Sequence, residues 1–470
     1  MNVGFISLGC SKNLVDTEMM IGLFKDKKFN IVNDPKEADI IIVNTCGFIE
    51  KAKEEAINTL LEMAEYKHNR CKYLIATGCL VERYKDELKK AMPEVDLFIK
   101  FSDYSTIWEQ IEKVIYNKSN KQEINLETDN ENRNENKPKL QTKNFNELDF
   151  NNREITTGKN YAYIRIADGC DNFCTFCAIP YIRGRFKSRK EEDILEEVTK
   201  LVKQGIKEFI IIAQDTTKYG CDIYSKPMLH DLLHKITEID GVEWVRFLYS
   251  YPETITDELI KEVRDNEKIC KYFDIPMQHI SDKILKKMNR KTTKDSIMKL
   301  IVKLRKEIPN VIIRSTLMVG FPGETNEDFN ELYEFVKWAK LDKLGCFTYS
   351  KESNTAAAKM DNQVHPSTKK SRYNKIMLLQ QQISKENLKR FLGNEYKVLL
   401  EDAYVNDENQ LYYVARTYMD VPEIDGYVYI KASKEDSKKV MINTFAKCKI
   451  IGMKEYDLIA EFCWKNRKTL

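Results

Sequence analysis

Twice along the chain, short β-rich runs alternate with helical patterns, and that alternation restricts the fold to parallel sheets wrapped by helices. The first series occupies the first hundred residues: VGFISLG (3–9), DIIIVNT (39–45), KYLIATG (72–78) and VDLFI (95–99), with helical patterns over 13–27, 50–67 and 81–91. The second runs through YAYIRIA (161–167), EFIIIAQ (208–214), WVRFLYS (244–250), YFDIPM (272–277), VIIRSTLMVG (311–320) and LGCFTYS (344–350). Six such units predict a partial (β/α)6 barrel of the TIM type. Both kinds of sheet place their chemistry at the carboxyl ends of the strands.

From about 117 to 155 the sequence turns rich in Asn, Lys and Glu and poor in aliphatics, a composition that cannot bury a core and reads as a mobile linker. From about 394, short strands and turns predict a small antiparallel β-barrel. The expected class is therefore α/β multidomain. Its expected parts are an N-terminal open parallel sheet (1–116), the linker (117–155), the partial barrel (156–392) and the terminal barrel (393–470). A chain of 470 residues exceeds one ordinary core. The start MNVGFISLGCSKN lacks a basic n-region, and no apolar run reaches the roughly 18 to 20 residues that span a bilayer, so a cytoplasmic protein without a membrane partner is expected. A net charge of +3 demands no general attraction to nucleic acid. The terminal barrel, with 12 Lys and Arg against 13 Asp and Glu, is near neutral.

In a reducing compartment the 12 cysteines are metal ligands or buried thiols, not a disulfide framework. Cys10, Cys46 and Cys79 each follow the end of one of the first three long strands, one βα unit apart, so parallel pairing would gather them at one sheet edge. Small buried residues at strand ends would show the same placement. In GCDNFCTFCAIP (169–180), Cys170, Cys174 and Cys177 are spaced Cys-x3-Cys-x2-Cys, with no further Cys or His nearby. Structural zinc takes four protein ligands. Three thiolates instead leave one corner of a four-iron cube open for catalysis.

Gln214 and Asp215 end the second barrel strand and Arg314 lies within the fifth; such residues contact cofactor or substrate, or serve as caps and loop anchors. MVGFPGET (318–325) lacks the Lys-Ser/Thr ending of a phosphate loop and reads as a glycine-bearing turn. His230 and His234, at i and i+4, have no Glu between them at the zincin position. Cys71 precedes its strand, at the edge opposite the triplet, and Cys221, Cys270, Cys346, Cys448 and Cys463 are scattered singly.

The three-cysteine loop at the first strand end of a partial barrel, with Phe176 before its last cysteine, resembles the radical S-adenosylmethionine superfamily. GCSKNLVDTE, NTCGFIEKAKEEAI, TGCLVERYKDEL and YIRIADGCDNFCTFCAIP together resemble the methylthiotransferase family. KNLVD after the first cysteine, AQDTTKYG (213–220), DIPMQHISDKILKKMNR (274–290) and RTYMDVPEIDGYVYI (416–430) are similar to its RimO branch. The likeness spans the chain except the linker, which is longer and more Asn-rich than the branch leads one to expect. One departure is YSKESNTAAAK (349–359), with Asn354 where relatives carry Gly; Asn tolerates the same left-handed backbone.

The resemblance implies two [4Fe-4S] clusters, a radical one on Cys170, Cys174 and Cys177 and an auxiliary one on Cys10, Cys46 and Cys79. It implies two molecules of S-adenosylmethionine per turnover, one methylating sulfur at the auxiliary site and one cleaved reductively to a 5′-deoxyadenosyl radical. Phe176, Gln214 and Arg314 become candidates for contact with S-adenosylmethionine or substrate. The terminal barrel would be a TRAM domain docking ribosomal protein S-twelve, whose aspartate is methylthiolated at its β-carbon. An electron donor and a sulfur donor are implied as partners. Lys12-Asn13 and the near-neutral barrel speak against the same chemistry on a tRNA adenosine beside the anticodon. A non-enzymatic iron–sulfur carrier or ribosome-bound adaptor would have little use for a six-unit barrel.

Overall fold

Each strand-to-helix step of the sequence folds as one parallel unit. In the computed structural model, which describes residues 1–119, 150–158, 160–433 and 435–464, the chain begins with β1 (Asn2–Ser7), α1 (Ser11–Asp26), β2 (Asn30–Val32), β3 (Ile40–Thr45), α2 (Glu50–Glu65), β4 (Tyr73–Gly78), α3 (Cys79–Ala91), β5 (Leu97–Ile99) and α4 (Ile107–Ser119). The five strands pair in parallel in the order β2-β1-β3-β4-β5. Continuous aliphatic runs such as Ile40–Val43 are buried because helices cover both faces.

The second series supplies β6 (Tyr161–Arg165), β7 (Ala167–Asp168), α5 (Ile179–Arg183), β8 (Lys187–Ser188), α6 (Glu191–Lys203), β9 (Glu208–Ile212), α7 (Leu229–Glu238), β10 (Trp244–Phe247), α8 (Asp257–Asp265), β11 (Tyr272–Asp274), α9 (Asp282–Lys287), α10 (Lys294–Glu307), β12 (Ile312–Val319), α11 (Asn326–Ala339), β13 (Lys343–Thr348) and α12 (Pro366–Leu388). Parallel ladders join β6-β9-β10 and β11-β12-β13, with a parallel bridge from Val245 to Ile269 between them. Side chains alternate across this wall as a pleat requires. Ala162, Ile164, Phe209, Ile211, Val245 and Phe247 pack in the core that includes the surrounding helices. Tyr163, Ile210, Ile212, Leu248 and Tyr272 belong instead to a core shared with Val15 and Met19 of α1 and with the C-terminal barrel.

That last unit comprises β14 (Glu395–Val405), β15 (Leu411–Arg416), β16 (Val428–Ala432), β17 (Phe445–Lys454) and β18 (Asp457–Phe462), closed in the order β14-β15-β16-β18-β17. Four of its pairs are antiparallel, but β16 and β18 run parallel, where the sequence suggested antiparallel pairing throughout. Five strands in a closed ring cannot all alternate in direction, so one parallel pair is obligatory. The barrel seats against the amino ends of the wall strands: Tyr161 and Tyr272 donate to Glu423 and Asp425, and Lys343 pairs with Asp420. The carboxyl ends are left for chemistry.

The segment expected as a linker differs from that expectation at both described ends. Helix α4 continues to Ser119, and residues 150–158 are pinned by Arg153, buried between Glu18 of α1 and Glu197 of α6 at 2.7 Å each. A guanidinium with two buried carboxylates to satisfy cannot stay a loose tether. Residues 120–149, like the tail 465–470, lie outside the described residues. Among the described residues no helix is long and apolar enough to cross a membrane.

Candidate active site

Register brings the first cysteine triplet together. Ser7 pairs with Asn44 and Thr45 with Gly78, so the chain leaves the sheet side by side at Cys10, Cys46 and Cys79. The loops touch closely: a Cβ on Gly9, whose φ is +90°, would lie 2.7 Å from the Cys46 sulfur, and one on Gly47 would lie 2.7 Å from the Leu80 backbone. Cys10 caps the start of α1 and Cys79 opens α3, so two helix amino ends, which favour negative charge, lie at the triplet. Backbone N–H groups of Phe48 and Gly47 donate to Cys46. Burial nevertheless raises the Cys46 thiol and pushes Cys79 up to about 12, while Cys10 is exposed. The raised Cys46 and Cys79 thiols must therefore release protons on taking up metal.

The second triplet occupies the loop after β7. Thr175 anchors it, donating to the Met288 carbonyl and accepting from Ala357. Arg290, almost fully buried, lies with Nη1 3.9 Å from the Cys174 sulfur, and the Tyr251 hydroxyl stands 3.5 Å from the same atom. The guanidinium also stacks on the Tyr251 ring at 4.2 Å. Backbone N–H groups of Asn172 and Ile179 donate to Cys170 and Cys177. Burial pushes Cys170 up to about 12 and raises Cys177 further. Among the described residues no three Cys, His, Asp or Glu side chains gather tightly enough for one metal ion. A mononuclear zinc site is thus not preformed. A four-iron cube takes its thiolates at separate corners, and the donated N–H groups and a buried cation suit its negative charge.

Hydrogen bonds link the two sites. Asn13, buried, accepts at Oδ1 from the Cys79 thiol (3.6 Å) and from Nη2 of Arg183 (2.9 Å). Arg183 also donates to Asp16 (2.7 Å) and Asp168 (3.1 Å), and Asp168 accepts from Gln214 Nε2 (2.8 Å). Asp168 stands two residues before Cys170 and is held below the usual carboxylate range by Arg183 and Arg165, despite its burial. A second bridge joins the units: Glu352, just past β13, pairs with Lys53 (2.8 Å) and with Arg83 (3.2 Å), and Arg83 donates to the Gly47 carbonyl (2.7 Å). Asn354 in the same loop has φ +65°, the left-handed backbone expected of it.

The remaining candidates are placed as follows. Gln214 keeps a buried Oε1 without a partner among the described residues, facing the cysteine-loop side of the barrel through its bond to Asp168. Asp215 accepts from Asn172 and Thr217, which makes it an anchor of the cysteine loop. Arg314 pairs with Asp274 inside the wall at 2.7 Å, and Phe176 packs edge-on against Phe321 with centroids 6.5 Å apart. His234 pairs with Glu262 on the surface. The turn at 320–324 is closed by Glu324, which accepts from the backbone of Gly320 and Phe321. Asp16, Asp168, Arg183, Tyr251 and Arg290 were not singled out one by one from the sequence, and Asn13 only together with Lys12; the signal available was that Asn13 and Asp16 fall in KNLVD, Asp168 in YIRIADGCDNFCTFCAIP and Arg290 at the end of DIPMQHISDKILKKMNR.

Three family models match successive parts of the chain: "Uncharacterized protein family UPF0004" over residues 2–100, "Radical SAM superfamily" over 164–336 and "TRAM domain" over 392–463. The ribosomal protein uS12 methylthiotransferase RimO of Alkaliphilus oremlandii is 58% identical over 461 residues, covering 98% of this chain and 99% of its own. Its namesake from Clostridium perfringens is 51% identical over 470 residues, covering 99% of each. Among solved structures, the radical S-adenosylmethionine methyltransferase TsrM of Kitasatospora setae superposes with a TM-score of 0.55 at 14% identity, over 74% of this chain and 72% of that one. At that identity the likeness concerns the fold alone.

Proposed function

The chain belongs to the RimO methylthiotransferase family and is a radical S-adenosylmethionine methylthiotransferase, and on that footing we propose that it methylthiolates the β-carbon of one aspartate in ribosomal protein uS12. Cys170, Cys174 and Cys177 would hold one [4Fe-4S] cluster and Cys10, Cys46 and Cys79 a second. When bound, these groups and two molecules of S-adenosylmethionine supply the radical that removes hydrogen from an unactivated C–H bond and the sulfur that replaces it, chemistry beyond acid–base side chains. Electrons and sulfur would come from separate donors.

The protein contributes position. Asn13, Arg183 and Asp168 would fix the distance between the triplets, since Asn13 and Arg183 are buried, Asp168 is half-buried, and each is bonded on both sides. Arg290 and Tyr251 hold a cation and a hydroxyl against the Cys174 sulfur. Gln214, Arg314 and Phe176 are retained as contacts for S-adenosylmethionine or substrate. Residues 1–116 would serve sulfur delivery, 156–392 radical formation and 393–470 docking of uS12. The observation that carries this reading is the hydrogen-bonded path from Cys79 through Asn13 and Arg183 to Asp168, two residues before Cys170, which ties one three-thiol site to the loop of the other.

The test is anaerobic. The protein is reconstituted with iron and sulfide, given S-adenosylmethionine and a reductant, and offered uS12 and unmodified tRNA side by side, with both read by mass spectrometry. A methylthio group on an aspartate of uS12 with tRNA untouched is expected. The reverse outcome would replace the substrate assignment.

A further inference from the structure

Lys12 is a buried cation that the network above does not use. Its side chain is 7% exposed, and among the described residues its ammonium meets neither a hydrogen-bond acceptor nor a carboxylate. It lies on the face of the Tyr249 ring, with Nζ 2.9 Å from the centroid. An ammonium held on a ring face, with its stem buried and no carboxylate beside it, is placed to take an anion. Tyr249 is itself held in an unusual state: its φ is +64°, a strained value for a residue with a side chain, and its N–H donates to Asp274 (3.0 Å) while its carbonyl accepts from the Thr216 N–H (3.1 Å). Strain pinned in this way points to function.

The pair spans the two sites. Lys12 is two residues from Cys10 and adjoins Asn13, which holds Cys79; Tyr249 is two residues from Tyr251, which touches Cys174. A substrate carbon that must meet a radical from one site and sulfur from the other has to lie in this interval. In an aspartate the carboxylate is one bond from that carbon.

We propose that Lys12 is a specificity-determining residue whose ammonium receives the carboxylate of the target aspartate, an inference that rests on the aspartate reading above. The Tyr249 ring holds the ammonium in place before substrate arrives. A charge-assisted contact of this kind separates an acid from its uncharged isostere, and a purine base offers no such group.

The experiment measures equilibrium binding to the reconstituted holoenzyme without reductant, so that no turnover occurs. The probes are two uS12 loop peptides that differ only in carrying Asp or Asn at the target position, and S-adenosylmethionine in parallel. Wild type should prefer the Asp peptide by roughly tenfold or more. Lys12→Met should bring the two affinities close to equal, and Lys12→Arg should keep the preference. If Lys12→Met binds neither peptide, Lys12→Gln decides: equal affinities support the proposal and a retained preference overturns it. An unchanged preference in Lys12→Met, no preference in wild type, or a loss confined to S-adenosylmethionine would each overturn it. Wild type that binds neither peptide but captures a tRNA anticodon stem-loop would refute the aspartate reading instead.

Discussion

Single residues divide the chemistry here. Cys10 is the exposed member of its triplet, and its thiol serves only the site proposed to deliver sulfur. Cys10→Ala should abolish methylthio transfer, lower bound iron by about four atoms per chain, and leave reductive cleavage of S-adenosylmethionine to 5′-deoxyadenosine in place. Chromatography of the nucleoside products checks this, and loss of both activities together would sink the division of labour. Arg183 is the residue on which the two sites lean. Its replacement by Met leaves Asp16 with Arg165 alone and takes the main partner from Asp168. Breaking a buried pair from one side costs about 3–5 kcal/mol, which urea denaturation would register. Lys at this position keeps the charge but lacks the fork that reaches Asn13, Asp16 and Asp168 together. The placement of the six cysteines, three at adjacent strand ends and three in one loop, was legible in the sequence because strand ends and a compact spacing mark them. Arg183 was not, because its partners lie 15 to 170 residues away and no local pattern records them.

At the scale of elements, the loop between β11 and α9, packed against the turn between β12 and α11, carries a titration. His279 is fully buried, accepts from the Ser281 N–H at 3.0 Å, and turns an unpartnered Nε2 toward Glu324, 4.0 Å away. Burial pulls its pKa down to about 3; Asp328 opposes that shift, while Arg372 and Lys283 reinforce it. The unfolded chain takes up a proton near pH 6.5 and the folded one does not until about 3, so this contribution is fully present above pH 6.5 and lost as pH falls. The loss amounts to about 1.4 kcal/mol per pH unit across that window. His279→Gln should flatten that part of the stability curve, read from unfolding midpoints between pH 6.5 and 4.5; parallel curves would exclude the residue as its source. Elements were the most legible level. Both βα series and the terminal barrel follow hydrophobic period and turn residues. The packed ends of the Asn-rich stretch were missed because Arg153 finds its carboxylates on two distant helices, and the parallel β16–β18 pair because closure parity is a property of the ring, not of any strand.

The whole molecule is held at the end opposite the cysteines by an interior ion cluster. Arg416 of the terminal barrel inserts between Glu208 at the start of β9 (2.6 Å) and Glu401 (2.6 Å), and Arg246 approaches the same Glu208 at 3.1 Å. Arg416, Arg246 and Glu208 are completely buried, and Arg246 donates across the boundary to the Tyr418 carbonyl (2.7 Å). A cation lost from this cluster leaves carboxylates desolvated with too little positive charge. Arg416→Met should therefore cost about 3–5 kcal/mol, and the cost should appear as detachment of one unit more than as loss of the catalytic wall, whose core residues lie on the other face of the strands. Limited proteolysis should accordingly open the segment 417–425 while the cores of 1–116 and 161–348 resist. Adding Glu208→Gln removes the carboxylate that Arg416→Met strands, so the double variant should recover part of the single variant's loss, the coupling that a double-mutant cycle isolates. Additive losses would mean that the cluster is not a unit, and that the terminal barrel is oriented by its other contacts, the apolar ones with Tyr161, Tyr163 and Trp244 and the polar ones at Asp420, Glu423 and Asp425. If the terminal barrel docks uS12 as proposed, Arg416→Met should depress modification of the folded ribosomal protein more than of a short target peptide, a difference that follows only if the orientation set by the cluster reaches the substrate.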